Sequence, residues 1–486
     1  MEELKNSICP EVFQYFKKMN QIPRGSGNEK AVSDWLVAFA KDHSLEVIQD
    51  KAMNIIIRKP GSAGYENAPP VILQGHMDMV CEKEEDKEHD FLKDPIDFIV
   101  EGDKVHADRT TLGSDNGIAV AYGLAILASD EIAHPPIELL VTVSEETGMD
   151  GAFALDASLL SGRRLINIDA EEEGKLLVSC AGGIGATLKL PVEWEEAPEG
   201  YQTVNLVVDG LQGGHSGVEI DKQRGSASKI MGRILLDLER VMSLRVFSIN
   251  GGTKHNAIPR KAVAGLLVKA EEENLLKEKL AAWNLVLQNE LQGVDDGVQI
   301  SLKKNAETAK KVFSAKTTHG VIQILTLIPA GVINMSAAIP GLVQTSNNLG
   351  VVLTLEEMVT FENTIRSSVR SNRTTVADEM GIIGEVTGAK VVYASEYPEW
   401  QYNPSSKLRE VFVDAYSELY GKKPEITAIH AGLECGLFSE KFDGKIDLIS
   451  FGPNLYDVHT PKEYLSISSV ERTWSYLLKV LEKLNQ

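Results

Sequence analysis

Acidic and histidine side chains occur in five short segments that could together bind divalent cations. The segments are GHMDMV with His76 and Asp78, SDNG with Asp115, SEETG with Glu145 and Glu146, NIDAEEEG with Asp169, and YDVHTP with His459. Four of them follow apolar runs that predict strands, whereas Asp115 begins a predicted helix. In open α/β sheets, ligands bind outside the carboxyl ends of the strands. The spacing therefore predicts that these side chains meet at one edge of a sheet.

The residue types favour a pair of catalytic metal ions. Imidazole and carboxylate donors suit zinc-like ions, and the lack of cysteine in the five segments argues against a structural zinc site. Two neutral and three anionic ligands are available, namely His76, Asp115, Glu146, Asp169 and His459. Two dications bound by three carboxylates would leave an excess of about one positive charge. A bound hydroxide would neutralise this charge, because such a site lowers the pKa of bound water to about 7. One carboxylate must then bridge the ions, and we nominate Asp115.

Two neighbours of these ligands have natural supporting roles. Asp78 lies two residues after His76, so on an extended chain the two side chains share a face, and Asp78 can accept the other imidazole N–H. Glu145 and Glu146 are adjacent and must point in different directions. One can bind metal while the other takes a proton from the attacking water and passes it to a leaving amine. Sequence order alone leaves open which does which.

Composition excludes several classes of function. The chain has 486 residues with 49 Lys plus Arg against 70 Asp plus Glu, a formal charge of −21. Binders of nucleic acid and of anionic membranes need basic patches, so this balance argues against both. No apolar run is long enough to span a bilayer, and the first residues lack the basic start and apolar core of a secretion signal. The four cysteines form no CxxC, which predicts a reducing, cytoplasmic location.

The order of predicted elements indicates an α/β protein with an insertion. Strand and helix signals alternate up to the glycine run at 181–186, which favours a mostly parallel sheet. Mixed strands and long amphipathic helices then suggest an α+β domain, and the last ninety residues return to the first pattern. We predict a catalytic domain over 1–185 and 397–486, interrupted by a domain over 186–396. The N-terminal segment reads as an amphipathic helix interrupted by Pro10.

The motifs resemble the M20 family of co-catalytic metallopeptidases, and within it the branch of aminoacyl-histidine dipeptidases. Besides GHMDMV, the resemblance lies in TLGSDNGIAVA, VTVSEETGMDGA, LINIDAEEEG, GGHSGVEID, IHAGLECGLF and SFGPNLYDVHTPKE, which span nearly the whole chain. The bridging-Asp motif reads SDNG, as in the dipeptidase branch. The resemblance implies a zinc-peptidase-like α/β domain with a mostly parallel sheet, an inserted α+β lid domain and a homodimer.

The resemblance also implies residue roles. It makes the five residues named above the ligands of two divalent ions. These ions would be zinc, with cobalt or manganese as alternatives. Glu145 would be the general base, and Asp78 would orient His76. His215 would stabilise the oxyanion of the tetrahedral intermediate. The substrate would be held by Asn256 and Arg366, with Arg366 binding its carboxylate. Apart from the resemblance, we expect His430 of IHAGLECG to line the substrate site. The lid of this chain lacks the short arginine-terminated strand common elsewhere in the family.

Simpler interpretations stand beside these. Asp115 could be only a helix N-cap, His215 a residue of a glycine-rich turn, and Arg366 an ordinary salt-bridge arginine like Arg370. A serine-hydrolase elbow at GGHSGV is excluded, because G-x-S-x-G needs a glycine where Val218 stands.

The function predicted from the sequence is hydrolysis of dipeptides, of Xaa-His type or of broad specificity, by metal-bound hydroxide with a glutamate base. Related M20 activities are the alternatives: tripeptidase, N-acyl-amino-acid deacylase or carboxypeptidase. A catalytically silent binding protein on the same scaffold is the alternative from another class.

Overall fold

The computed structural model describes residues 3–304 and 309–485, which divide into two units. The first unit comprises 1–179, 402–428 and 433–486, and the second comprises 180–401 and 429–432. The domain boundaries predicted from the sequence were 185/186 and 396/397. Among the described residues, no helix combines the length and apolar character needed to cross a lipid bilayer.

Helices and strands alternate along the whole chain. The α-helices are α1 (Pro10–Asn20), α2 (Lys30–Asp42), α3 (Ser114–Ala128), α4 (Glu145–Gly148), α5 (Asp150–Ala154), α6 (Ala227–Glu239), α7 (Glu273–Glu290), α8 (Ala315–Leu327), α9 (Arg370–Thr387), α10 (Lys407–Tyr420), α11 (Glu434–Lys441) and α12 (Ile467–Lys483). Short 3-10 helices cover Glu3–Asn6, Ala157–Leu159, Ile220–Lys222 and Ala270–Glu272. The strands are β1 (Glu46–Gln49), β2 (Ile55–Lys59), β3 (Val71–His76), β4 (Ile99–Glu101), β5 (Lys104–His106), β6 (Ile137–Thr142), β7 (Arg164–Asn167), β8 (Lys175–Cys180), β9 (Gly182–Pro191), β10 (Trp194–Glu196), β11 (Tyr201–Asp209), β12 (Gly214–His215), β13 (Arg245–Gly251), β14 (Ala257–Ile258), β15 (Ala262–Lys269), β16 (Gln299–Lys304), β17 (Lys311–Phe313), β18 (Gly331–Met335), β19 (Val343–Thr354), β20 (Met358–Ser367), β21 (Lys390–Tyr397), β22 (Glu425–Ile429), β23 (Asp447–Ser450), β24 (Leu455–Tyr456) and β25 (Tyr464–Ser466).

The first unit is built on a sheet of strand order β1-β2-β6-β3-β7-β23-β8-β22. Its centre, β6-β3-β7-β23, is parallel, and the pairs β1-β2, β2-β6 and β23-β8 are antiparallel. Every residue of β3 and β6 is buried, as expected for parallel strands covered on both faces. The predicted α/β class is confirmed, and the antiparallel pairs lie towards the flanks.

The helices of the first unit follow from local sequence. In α3 every residue from Asn116 to Leu127 is buried, because this helix is apolar all round. The predicted interruption at Pro10 is wrong in one respect, since α1 begins at Pro10 rather than breaking there. Proline is well suited to the first position of a helix, where its missing N–H has no intrahelical partner to lose.

The second unit is an α+β structure with its own core. Its main sheet has the order β16-β11-β15-β13-β19-β20-β9-β21, and β18 pairs with β19. Helix α6 buries Ala227, Ile230, Met231, Ile234, Leu235 and Leu238, which is the spacing of one helical face. These side chains join the apolar cluster formed by the sheet and by the neighbouring helices α7, α8 and α9.

Candidate metal centre

The ends of the parallel strands carry most of the predicted ligands in the first unit. His76 is the last residue of β3, Glu146 lies four residues after the end of β6, and Asp169 lies two residues after the end of β7. Asp115 is the second residue of α3, and His459 lies in the loop between β24 and β25. The loops after the strands therefore bring the side chains together, as the positions of the strand ends predict.

The five predicted ligands form two groups that share Asp115. In the first, Nε2 of His76 lies 3.2 Å from Oδ1 of Asp115 and 3.6 Å from Oδ1 of Asp169. In the second, Nε2 of His459 lies 3.1 Å from Oδ2 of Asp115 and 3.0 Å from Oε1 of Glu146. The two oxygens of Asp115 thus face different imidazoles.

These separations fit two divalent cations. Two donor atoms of a tetrahedral site with bonds of about 2.1 Å lie roughly 3.4 Å apart, close to the observed separations. Ligand atoms of His76, Asp115 and Glu146 all lie within 4.8 Å of one another. Without a cation, burial and neighbouring carboxylates raise the pKa of Glu146 and of Asp169. Bound dications would remove that repulsion, so the donor set suits the metals that it was predicted to hold.

Asp78 contacts both His76 and the backbone of Glu145 and Glu146. Its Oδ1 lies 3.2 Å from Nδ1 of His76, the ring nitrogen away from the cluster. Its two oxygens also accept the backbone N–H groups of Glu145 (3.1 Å) and Glu146 (3.3 Å), and Oδ2 accepts the hydroxyl of Ser26 (2.8 Å). Burial opposes the charge, but the neighbouring imidazole of His76 and the hydrogen bond from Ser26 lower the pKa of Asp78. The second role, as a cap of α4, has no signal in the sequence.

The structure distinguishes the two adjacent glutamates. The carboxylate of Glu146 faces His459, whereas that of Glu145 makes no hydrogen bond to any described residue. Burial and the charge of Asp169 raise the pKa of Glu145 well above its ordinary value, against the lowering effect of His76. Ser144, which precedes them, is left-handed at φ 52°, and its N–H and hydroxyl bind the buried carboxylate of Glu29. Glu145 is therefore held at its backbone and left free at its carboxylate.

Asn116 also contacts the candidate site, and the sequence patterns did not single it out. Its Oδ1 accepts the N–H of His76 (3.1 Å), and its Nδ2 donates to the carbonyl of Ile168 (2.7 Å), next to Asp169. A Cβ at Gly75 would lie 2.4 Å from that Oδ1, so the close approach requires glycine. In the sequence this contact is marked only by the glycine before His76 and the asparagine after Asp115. Neither residue by itself indicates that the other lies against it.

A second buried network lies on the same strands. Glu434 at the start of α11 is fully buried, and its Oε2 accepts hydrogen bonds from Gln74 (2.6 Å) and Thr142 (2.9 Å). Asn167 donates in turn to Gln74 (2.6 Å). These hydrogen bonds link β3, β6 and β7 close to the strand ends that carry the predicted ligands.

The remaining predicted site residues belong to the second unit. Arg366 on β20 is 8% exposed, its Nη1 donates to the hydroxyl of Tyr397 (2.6 Å), and it forms no ion pair with a described carboxylate. Nε2 of His430 lies 2.7 Å from Oγ of Ser346. Burial, and then the charge of Arg366, lower the pKa of His430 to about 3, so this imidazole is neutral at pH 7. Arg370 instead pairs with Glu399 and is half-exposed.

His215 has a defined tautomer. Its Nδ1 accepts the backbone N–H groups of Gly217 (3.1 Å) and Val218 (3.2 Å), so the neutral ring carries its proton on Nε2. Burial and the charge of Arg366 lower the pKa of His215. His215 and Asn256 line one cavity of about 790 Å³ in the second unit.

Comparison with known proteins assigns the family. Residues 72–483 match the model of peptidase family M20/M25/M40. The chain belongs to peptidase family M20. This M20 peptidase is 39% identical over 484 residues to the cytosol non-specific dipeptidase of Escherichia coli, covering 100% of this chain and 99% of that protein.

Solved structures agree with this assignment. The crystal structure of an aminoacylhistidine dipeptidase from Vibrio alginolyticus matches with 38% identity and a TM-score of 0.94, covering 99% of each chain. Aminopeptidase PepT from Bacillus cereus matches at 15% identity and a TM-score of 0.58, covering 99% of this chain and 100% of that chain, a likeness of fold alone. The predicted membership of the M20 family and the predicted class of enzyme, a metallopeptidase, are therefore confirmed.

Proposed function

We propose that this M20 peptidase hydrolyses dipeptides at a site that binds two divalent cations, with zinc as the resident metal. The observation that carries the proposal is the shared carboxylate of Asp115, whose two oxygens face two separate imidazoles. His76 and Asp169 would hold one ion, His459 and Glu146 the other, and Asp115 both. Two such ions supply Lewis-acid activation of water and of the scissile carbonyl.

Glu145 is the general base in this proposal. Its carboxylate is free of hydrogen bonds to described residues, while its backbone is held by Asp78. It would take a proton from the attacking water and deliver it to the leaving amine, as a single carboxylate can do in sequence. Asp78 would keep the tautomer and orientation of His76.

Residues of the second unit would recognise the substrate. Arg366 is a buried cation with no carboxylate partner among the described residues, and the α-carboxylate of a dipeptide is the anion that such a group binds. His215 carries its proton on Nε2 and would donate it to the oxyanion. Asn256 and His430 would hold the peptide beside these two residues.

The relatives support the choice of dipeptides. The Escherichia coli protein named a cytosol non-specific dipeptidase aligns over almost its whole length, and the Vibrio protein is named an aminoacylhistidine dipeptidase. We also infer a cytoplasmic location, in keeping with that first name and with four cysteines that form no disulfide. A homodimer remains our prediction, tested by light scattering.

A substrate panel on reconstituted protein tests the function. Metal-stripped protein is loaded with zinc, cobalt or manganese in turn and offered dipeptides including β-alanyl-histidine, tripeptides and N-acetyl amino acids. We expect chelator-sensitive hydrolysis of the dipeptides, with the Glu145→Gln variant as the inactive control. A preference for tripeptides or N-acetyl amino acids would overturn the dipeptidase assignment, and inert metal-loaded protein would indicate a silent binding protein.

A further inference from the structure

The carboxylate of Glu463 binds the chain immediately before Asp115. Glu463 is 2% exposed, and its Oε2 accepts the backbone N–H groups of Leu112 (2.7 Å) and Gly113 (3.1 Å). Its Oε1 accepts the N–H (2.7 Å) and the hydroxyl (2.5 Å) of Ser114. One buried side chain thus takes hydrogen bonds from three consecutive residues, and the next residue is the shared carboxylate.

Glu463 is also tied to the other histidine of the cluster. It lies four residues after His459, and its own N–H closes a turn on the carbonyl of Thr460 (3.1 Å). The segment 459–463 and the segment 112–115 are therefore joined by a carboxylate that lies 349 residues from Ser114 along the chain.

Arg24 makes the matching connection to the third segment. Its guanidinium is 1% exposed, and Nη2 donates to the carbonyl of Gly113 (2.6 Å). Nη1 donates to the carbonyls of Met77 (3.0 Å) and Asp78 (3.2 Å), directly after His76. Gly113 therefore contacts both Glu463 and Arg24: its N–H donates to Glu463, and its carbonyl accepts from Arg24.

We propose that Glu463 and Arg24 are positioning residues of the metal centre, which fix the segments of His76, Asp115 and His459 relative to one another. The inference rests on the proposed function, because it assigns these three residues as ligands. Burying two charges is costly, and apolar side chains could pack the same space. A carboxylate can accept from three successive N–H groups and a hydroxyl together because it has two oxygens and no donor, and a planar guanidinium can donate to two chain segments at once.

The chain offers a matched control in Glu138. This carboxylate is 3% exposed and accepts the N–H groups of Ser161 (3.0 Å) and Gly162 (2.8 Å) and the hydroxyl of Ser161 (3.0 Å). It lies at the start of β6, the end of that strand away from the ligands. Glu463→Gln and Glu138→Gln therefore disturb similar hydrogen bonds in the same unit, but only the first touches ligand-bearing segments.

The test is the zinc affinity of each variant, measured by competition with a fluorescent chelator, together with its thermal unfolding. We expect both variants to unfold at lower temperature than the wild type, and only Glu463→Gln to bind zinc about 10- to 100-fold more weakly. Should Glu463→Gln fail to fold, Ser114→Ala removes one of its four hydrogen bonds and is expected to weaken zinc binding in the same direction. If Glu463→Gln, or Ser114→Ala in its place, binds zinc as tightly as the wild type, the inference is overturned. If the wild-type protein itself fails to bind two zinc ions, the proposed function is overturned.

Discussion

Nε2 of His459 lies 3.1 Å from Oδ2 of Asp115, although 344 residues separate them in the chain. The other oxygen of Asp115 lies 3.2 Å from Nε2 of His76. A carboxylate that served one ion would need to face only one imidazole. This arrangement is the one that the proposed bridging role requires, and it makes Asp115 different from the other carboxylates of the cluster.

Substitutions at Asp115 and Glu146 should differ in metal stoichiometry. We expect Asp115→Asn to lose both ions, because an amide offers one neutral oxygen in place of two anionic ones. Glu146→Gln should lose one, because the imidazole within hydrogen-bond distance of Glu146 is that of His459. Elemental analysis after dialysis against a fixed free-zinc concentration measures this. One ion retained by Asp115→Asn would contradict the bridging role.

Replacement of Glu145 should stop turnover and spare metal binding. Its carboxylate lies outside both imidazole–carboxylate groups, so Glu145→Gln removes only a proton acceptor. Removal of a general base lowers kcat by roughly 10²- to 10⁴-fold. Steady-state hydrolysis of a dipeptide and metal content are measured on the same sample. Loss of metal in this variant, or near-normal kcat, would show that Glu145 is a ligand or a bystander.

Arg366 and Arg370 provide a matched pair for the substrate carboxylate. Loss of a charged hydrogen bond costs about 1.5–3 kcal/mol, so Arg366→Met should lower kcat/KM for dipeptides by about 10- to 100-fold. Arg370→Met should have little effect, because that side chain is half-exposed and paired with Glu399. Dipeptide amides, which lack the carboxylate, are the decisive substrates. If Arg366→Met affects amides and free dipeptides equally, the arginine does not bind that group.

Lys229 of α6 should stabilise the second unit in a pH-dependent way. Its Nζ donates to the carbonyls of Leu325 (2.5 Å), Thr326 (3.0 Å) and Ile328 (2.5 Å), at the C-terminus of α8. These carbonyls lack helical partners, so Lys229→Met should cost about 1–3 kcal/mol.

The pH dependence of that loss follows from burial, which lowers the pKa of Lys229 to about 8. Between pH 8 and the unfolded value of about 10.4, the unfolded chain holds more protons than the folded one, so stability rises with pH. The difference in unfolding free energy between wild type and Lys229→Met should therefore grow from pH 8 to pH 10. Urea denaturation at each pH measures this difference. Lys316→Met, at an exposed ion pair with Glu193, is the control that should change little.

The ligand set that we propose could be nominated from the sequence because it depends on short-range patterns. Buried strands are apolar runs, parallel strands end at one edge, and the residues after β3, β6 and β7 were therefore expected to meet. These patterns could not order Glu145 and Glu146, because the direction of each side chain is set by the turn that begins at Ser144. That turn is held by Glu29 and Asp78, both distant in sequence.

By itself, the sequence determined the α/β class, and it nominated the inserted domain and the residue types of the candidate metal centre, since these follow from hydropathy, spacing and ligand chemistry. Only the tertiary structure decided which partners hold those residues in place. Glu463 with Ser114, Arg24 with Gly113 and Asn116 with His76 are pairs joined by hydrogen bonds between segments 40 to 349 residues apart. Such contacts produce no periodic pattern in the sequence, because the partners of a buried carboxylate or guanidinium are backbone groups that are close in space but distant along the chain.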